Sequence, residues 1–216
     1  MAALFNWEAF RKMPVIGIMR NFLEEKMQKT LAEYHKAGLT TIEITMNSNN
    51  AKECIATSIA HWGDKLNIGA GTVCDLDDLD AALSAGAQYI VTPIINDEVI
   101  KSCVRKNIPI FPGAFSPSEI YKAWSLGASM VKVFPAARVS AGFFKDILQP
   151  LNKVKLVATG GITLENFTDF LSAGASGVGV GSNLFPKEMI DEERWDDLGA
   201  FFRDFVKQYQ EFVKSK

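Results

Sequence analysis

The sequence predicts an α/β chain closed into a single (β/α)8, or TIM, barrel, and three observations carry that prediction. Eight short, β-branched apolar segments recur along the 216 residues. Stretches of helical periodicity separate them, and several of those helices stop at an Ala-Gly or Leu-Gly pair. Strands that alternate with helices in this way imply right-handed βαβ crossovers and a parallel sheet. Eight repeats without a break in composition point to one closed barrel covering residues 1–216 as one domain. An open, doubly wound sheet is the alternative, because strand count alone leaves closure undecided.

The elements follow in order. Leu4–Met13 reads as a short extra helix, stopped by Pro14, that covers one end of the barrel. The strand segments are Val15–Met19, Thr41–Met46, Leu66–Ala70, Tyr89–Thr92, Ile108–Phe111, Met130–Phe134, Lys155–Ala158 and Gly177–Val180. Helical periodicity marks Glu24–Ala37, Leu76–Ala85, Asp97–Lys106, Pro117–Leu126 and Leu164–Ala173, among others. Gly38, Gly86, Gly127 and Gly174 close helices, since glycine accepts the left-handed conformation that turns the chain into the next strand. From Glu192 to Val213, Trp195, Leu198, Phe202, Phe205, Tyr209 and Phe212 fall three or four apart. That spacing predicts an amphipathic final helix packed on the barrel.

Composition narrows the function. A hydrophobic fraction of 48% supplies a sizeable core, and the net charge of −2 comes without a basic cluster. Neither a nucleic-acid nor an anionic-membrane footprint is visible, so a phosphate group has to be held locally. Cys54, Cys74 and Cys103 are far apart and form no CxxC, which reads as reduced thiols packed like small apolar groups. His35 and His61 have no ligand-spaced partner, which argues against a zinc site. No apolar run approaches the ~18 residues of a membrane span, and the N-terminus lacks a basic segment followed by an apolar core. A soluble, cytoplasmic protein is expected.

In a barrel, functional groups gather at the C-terminal ends of the strands. Lys132 lies within the apolar run from Ser129 to Pro135, near the end of the sixth strand, on the face of Met130 and Phe134. Burial disfavours the charged form of an amine. Two readings fit, a structural lysine paired or snorkelling to water and a nucleophilic amine that attacks a carbonyl. On the second strand, period-2 alternation puts Ile42, Ile44 and Met46 on one face and Glu43, Thr45 and Asn47 on the other. The apolar set suits the helices, which directs Glu43 into the barrel. There it is either a structural ion-pair partner or a general acid/base with a raised pKa. Arg20, after the first strand, either grips a carboxylate or is a solvated loop residue. Thr72 follows the small residues Gly69-Ala70-Gly71. Strands four and five end at Thr92-Pro93 and Phe111-Pro112-Gly113, rigid rims without chemistry of their own. Strands seven and eight end in Thr159-Gly160-Gly161 and Gly181-Ser182-Asn183. Glycines at these two ends offer backbone N–H groups and a helix N-terminus to a phosphate, the cradle this fold uses. Plain steric turns are the other reading, and the spacing is not that of a dinucleotide fingerprint.

Seven segments together resemble one family. They are Ile42-Glu43-Ile44-Thr45, Gly69-Ala70-Gly71-Thr72-Val73, Val91-Thr92-Pro93, Ile108–Gly113, Val131-Lys132-Val133-Phe134-Pro135-Ala136, Thr159-Gly160-Gly161-Ile162 and Gly179-Val180-Gly181-Ser182. In this order, from about Pro14 to about Leu184, they resemble the 2-keto-3-deoxy-6-phosphogluconate (KDPG) and 4-hydroxy-2-oxoglutarate (KHG) aldolases. That family includes the 2-keto-3-deoxy-6-phosphogalactonate aldolases.

The resemblance implies Lys132 as the Schiff-base lysine and Glu43 as the proton-transfer residue. Phe134 would stand beside the imine, with Thr72 and Pro93 lining the keto-acid pocket and Arg20, Asn47 and Thr159 also touching substrate. Gly160, Gly161, Gly181 and Ser182 would hold the distal phosphate of a sugar-acid phosphate. The family implies no metal, no cofactor and a homotrimer. One segment departs from the phosphogluconate pattern, Thr-Leu-Arg-Thr, whose arginine binds substrate. Here it is Thr45-Met46-Asn47-Ser48, closer to the phosphogalactonate branch, whereas Thr159 is closer to the phosphogluconate branch. Two rivals remain at the level of the residues: a phosphate-binding barrel isomerase or synthase that forms no imine, and a non-catalytic sugar-phosphate binding protein.

Overall fold

The structure, a computed structural model, describes residues 4–216. Nine strand segments form one sheet in which every pairing is parallel. They are β1 (Val15–Met19), β2 (Thr41–Thr45), β3 (Asn67–Gly71), β4 (Ile90–Val91), β5 (Ile110–Phe111), β6 (Gly113–Ala114), β7 (Val131–Val133), β8 (Leu156–Thr159) and β9 (Gly177–Val180). Paired strands are mostly chain neighbours, except that β1 also pairs with β9. The open doubly wound alternative is thereby set aside.

Several strands start or end a residue or so from their expected bounds, and the one difference in number lies in strand five. It does not end at Phe111 but resumes beyond Pro112 as β6, so a single expected strand becomes two segments. Pro112 has no N–H to offer a ladder, whereas its carbonyl still accepts the Lys132 N–H at 2.8 Å. The first segment pairs with β4 and the second with β7. The barrel therefore closes through this proline.

Helices α1 (Trp7–Lys12), α2 (Glu24–Ala37), α3 (Ala51–Trp62), α4 (Leu76–Ser84), α5 (Asp97–Arg105), α6 (Pro117–Ser125), α7 (Ser140–Leu148), α8 (Phe167–Ser172), α9 (Lys187–Asp191) and α10 (Trp195–Lys214) surround the sheet. The expected helix-closing glycines all sit in the left-handed region, with φ between 94° and 99°. The core has two parts. Most buried apolar residues lie between sheet and helices. A second cluster fills the barrel's lower interior, where Ile16, Tyr89, Phe111, Met130 and Val157 meet Phe5 and Phe10. The α1 segment is thus the expected end cover. Asn6 accepts the Ala9 N–H to start that helix, and its own N–H donates to Asn67 Oδ1 at 2.6 Å. The expected final helix is α10, which buries Leu198, Phe202 and Phe205 against α2 and the barrel. Among the described residues, no helix is long and apolar enough to cross a membrane.

Candidate active site

Aromatic rings fill the barrel's lower half, and open space lies above them. A cavity of about 360 Å³ lies there at the C-terminal ends of the strands, within the range of small-molecule clefts. Lys132, the middle residue of β7, projects into it from the inward face it shares with Met130. Its backbone is fixed on both sides, by register with Gly113 of β6 and with Val157 of β8. Glu43, the middle of β2, enters from the opposite wall. The two are 10% and 3% exposed, and Lys132 Nζ stands 3.9 Å from Glu43 Oε1. That is an ion pair without a direct hydrogen bond. It leaves the nitrogen able to form a new bond while the carboxylate stays close enough to pass a proton through one water.

Two neighbours shape this pair. Gly71 makes room for the carboxylate, because a methyl group there would overlap Glu43 Oε1 where it stands. Burial pushes the Glu43 carboxyl above its usual range, and the charges of Lys132 and Arg20 oppose that shift. A buried carboxyl tuned upward and held beside an amine is the pattern of an acid/base site. On the rim, the Phe134 ring centroid lies 5.6 Å from Lys132 Nζ, and Pro93 and Thr72 complete that wall. Thr72 adopts φ 57°, a conformation that costs a non-glycine residue on the order of 1–3 kcal/mol and clusters at functional sites.

The opposite rim comes from three loops bound to one another. Gly160 and Gly161 follow β8 with φ of 93° and 73°. Asn166 closes their loop by accepting the Thr163 N–H and donating to the Gly161 carbonyl. Ala137, after β7, donates its N–H to the Gly160 carbonyl. Asn183, after β9, donates its amide to the Ile162 carbonyl at 2.9 Å. The N–H groups of Gly161, Ile162, Ser182 and Asn183 find no acceptor among the described residues. A cluster of free backbone donors at the mouth of a cavity suits an anion. The helix N-terminus expected here is displaced, because α8 begins only at Phe167, after a turn. Loop amides alone make the rim.

Eleven of the twelve residues expected in the site line this cavity: Arg20, Glu43, Thr72, Pro93, Lys132, Phe134, Thr159, Gly160, Gly161, Gly181 and Ser182. The twelfth, Asn47, is exposed and outside it. The strand ends at Thr45, whose carbonyl accepts the Ser48 N–H at 3.0 Å. That turn carries Asn47 off the alternation that holds Glu43 and Thr45 inward. Ile18, Ile162 and Asn183 also line the cavity, and nothing in their residue type marks them in sequence. Ser48 has a supporting place. Its hydroxyl lies 2.8 Å from Thr45 Oγ1 and accepts the Asn21 N–H at 2.9 Å, which ties down the loop that carries Arg20. Among the described residues, no three His, Cys, Asp or Glu side chains gather as metal ligands.

The family of KDPG and KHG aldolases matches residues 7–201 of this sequence. The chain belongs to that family. Among its relatives, the 2-dehydro-3-deoxy-6-phosphogalactonate aldolase of Escherichia coli K12 is 32% identical, over 97% of this chain and 100% of the relative. The 2-dehydro-3-deoxy-phosphogluconate aldolase of Haemophilus influenzae is 36% identical, over 79% of this chain and 81% of the relative. A solved KDPG aldolase of Legionella pneumophila holds pyruvate as a covalent carbinolamine intermediate. It superposes with a TM-score of 0.82 at 28% identity, covering 90% of this chain and 95% of that one. Members of the KDPG and KHG aldolase family are carbon–carbon lyases, and this barrel is theirs in fold.

Proposed function

We propose that this chain is a class I aldolase cleaving 2-keto-3-deoxy-6-phosphogluconate to pyruvate and glyceraldehyde 3-phosphate. It would also accept 4-hydroxy-2-oxoglutarate, giving pyruvate and glyoxylate. The observation that carries the reading is the buried Lys132 amine 3.9 Å from the buried Glu43 carboxylate, under a rim of free backbone donors.

The free amine of Lys132 attacks the C2 ketone and forms a carbinolamine. Protonated Glu43 supplies the proton with which the C2 hydroxyl leaves as water, giving the iminium. Glu43, now a carboxylate, takes the proton of the C4 hydroxyl. The C3–C4 bond breaks, its electron pair moves onto the iminium as an enamine, and the aldehyde departs. Glu43 returns the proton to C3, and water hydrolyses the resulting iminium to release pyruvate. Arg20 neutralises the substrate carboxylate, Thr72, Pro93 and Phe134 hold the keto-acid end, and Thr159 faces the hydroxylated carbons. The amides around Gly160, Gly161, Gly181 and Ser182 take the phosphate. An isomerase that forms no imine, or a binding protein, would need neither an inward amine nor a carboxyl tuned beside it.

The C4 epimer, 2-keto-3-deoxy-6-phosphogalactonate, is a second reading favoured by one specific feature. Asn47 stands where the phosphogluconate pattern has its arginine, and it lies outside the cavity. Parallel assays of both epimers and of 4-hydroxy-2-oxoglutarate decide among them. We expect the highest kcat/KM on the phosphogluconate; a preference for the galactonate would assign the chain to the other branch. The working form proposed is a homotrimer in the cytoplasm; light scattering of the purified protein tests the trimer directly.

A further inference from the structure

We propose that Tyr89 positions Glu43, its phenolic hydroxyl donating toward the carboxylate through one buried water. The inference rests on the aldolase reading of Glu43. Three inward positions stand side by side on neighbouring strands. Glu43 of β2 is in register with Gly69 of β3, and the next pair, Ala70 with Ile90, puts Tyr89 beside Gly69. Gly69 has no side chain, and the Tyr89 ring occupies the space. A methyl group at Gly69 would overlap ring atoms Cδ1, Cε1 and Cζ. The ring therefore leans across β3 toward Glu43. Phe5 and Phe111 hold it there, with centroids 5.0 and 5.4 Å away.

The hydroxyl makes this position unusual. It is fully buried and finds no hydrogen-bond partner among the described residues. Buried Tyr34, by contrast, donates to the Thr41 carbonyl and accepts the Gly17 N–H. A phenylalanine at 89 would fill the same space without burying an unpaired hydroxyl, and such groups are rare unless a partner or water meets them. The Glu43 carboxylate, which faces the cavity, has Lys132 Nζ at 3.9 Å and no closer polar partner among the described residues. After burial, the largest influence on the Tyr89 phenol is the charge of Glu43. Each group is what the other lacks. A donor to a carboxylate favours its charged form and fixes its direction, here beneath the Lys132 amine. The other groups acting on Glu43 are Lys132 from β7 and Arg20 after β1. Inward positions of β3, β8 and β9 supply glycine, Val157 and Thr159, which do not titrate.

Tyr89→Phe keeps the ring and deletes only the hydroxyl. Its signature is a Glu43 titration, followed by carboxyl-carbon NMR, that moves up by roughly one pH unit, a tenfold change in ionisation. The acid limb of kcat should move with it while KM holds. An unchanged titration and acid limb would overturn the proposal, and a more stable variant with unchanged kinetics would mark Tyr89 as core filling. Borohydride with pyruvate should still label Lys132 in the variant. Failure to label the wild type would instead count against the aldolase reading, and the Glu43 titration would judge Tyr89 independently.

Discussion

Glu43 shows how much of the chemistry depends on one side chain's surroundings. The carboxyl is raised because burial outweighs the two nearby cations. Its protonation therefore begins at higher pH than for an exposed glutamate. On the proposed mechanism Lys132 becomes a free amine by giving its proton to Glu43, so as pH falls through that raised value Glu43 is already protonated and can no longer take it. The acid limb of kcat/KM is expected above the ordinary carboxylate range of about 4.3, and a limb at or below that value would contradict the assignment. Glu43→Gln should lower kcat by about 10²–10⁴-fold, the usual worth of general acid–base help, while pyruvate capture at Lys132 persists slowly. The residue types of this pair were legible because an ionisable group inside an apolar strand run has few explanations. Asn47 was misplaced for the complementary reason. Alternation assigns faces only while a strand lasts, and β2 ends two residues earlier.

Among the elements, the β8 loop carries the most specific expectation. Gly161 has φ 73°, and a methyl group there would overlap the Ala137 side chain after β7. Gly161→Ala is expected to displace the loop and raise KM for the phosphorylated substrate at least several-fold. KM for 4-hydroxy-2-oxoglutarate should change little, because that substrate has no phosphate to place. Equal losses on both substrates would show that the loop serves the keto-acid end instead. The glycines advertised a close approach in the sequence, but the lacing by Asn166, Asn183 and Ala137 did not. Those bonds join loops brought together only by the closed barrel. The split of the fifth strand was equally hidden. A proline reads as a stop, yet Pro112 withdraws one donor while its carbonyl keeps the ladder to β7.

For the whole molecule, repetition made the barrel legible, whereas closure became visible only when β1 met β9 and the two segments around Pro112 joined the ends. The interior is divided between an aromatic floor and a polar chamber, with Tyr89 proposed to link the two, and the deeper part of the floor can be tested at Phe10. Phe10 is fully buried beneath the barrel, against Phe5 and Phe111. Phe10→Ala should cost about 3–5 kcal/mol and lower Tm by roughly 6–20 °C, with kcat at moderate temperature nearly intact. A large loss of kcat in a still-folded variant would mean that the floor reaches the chamber through more than the Tyr89 hydroxyl. The central claim is that this chamber exists to form an imine at Lys132. It is tested most directly by reducing the full-length protein with borohydride in the presence of pyruvate and mapping its peptides by mass. The account requires a pyruvate-derived mass on the peptide containing Lys132 and none in Lys132→Ala; an unmodified Lys132 peptide, or label on another lysine, would contradict it.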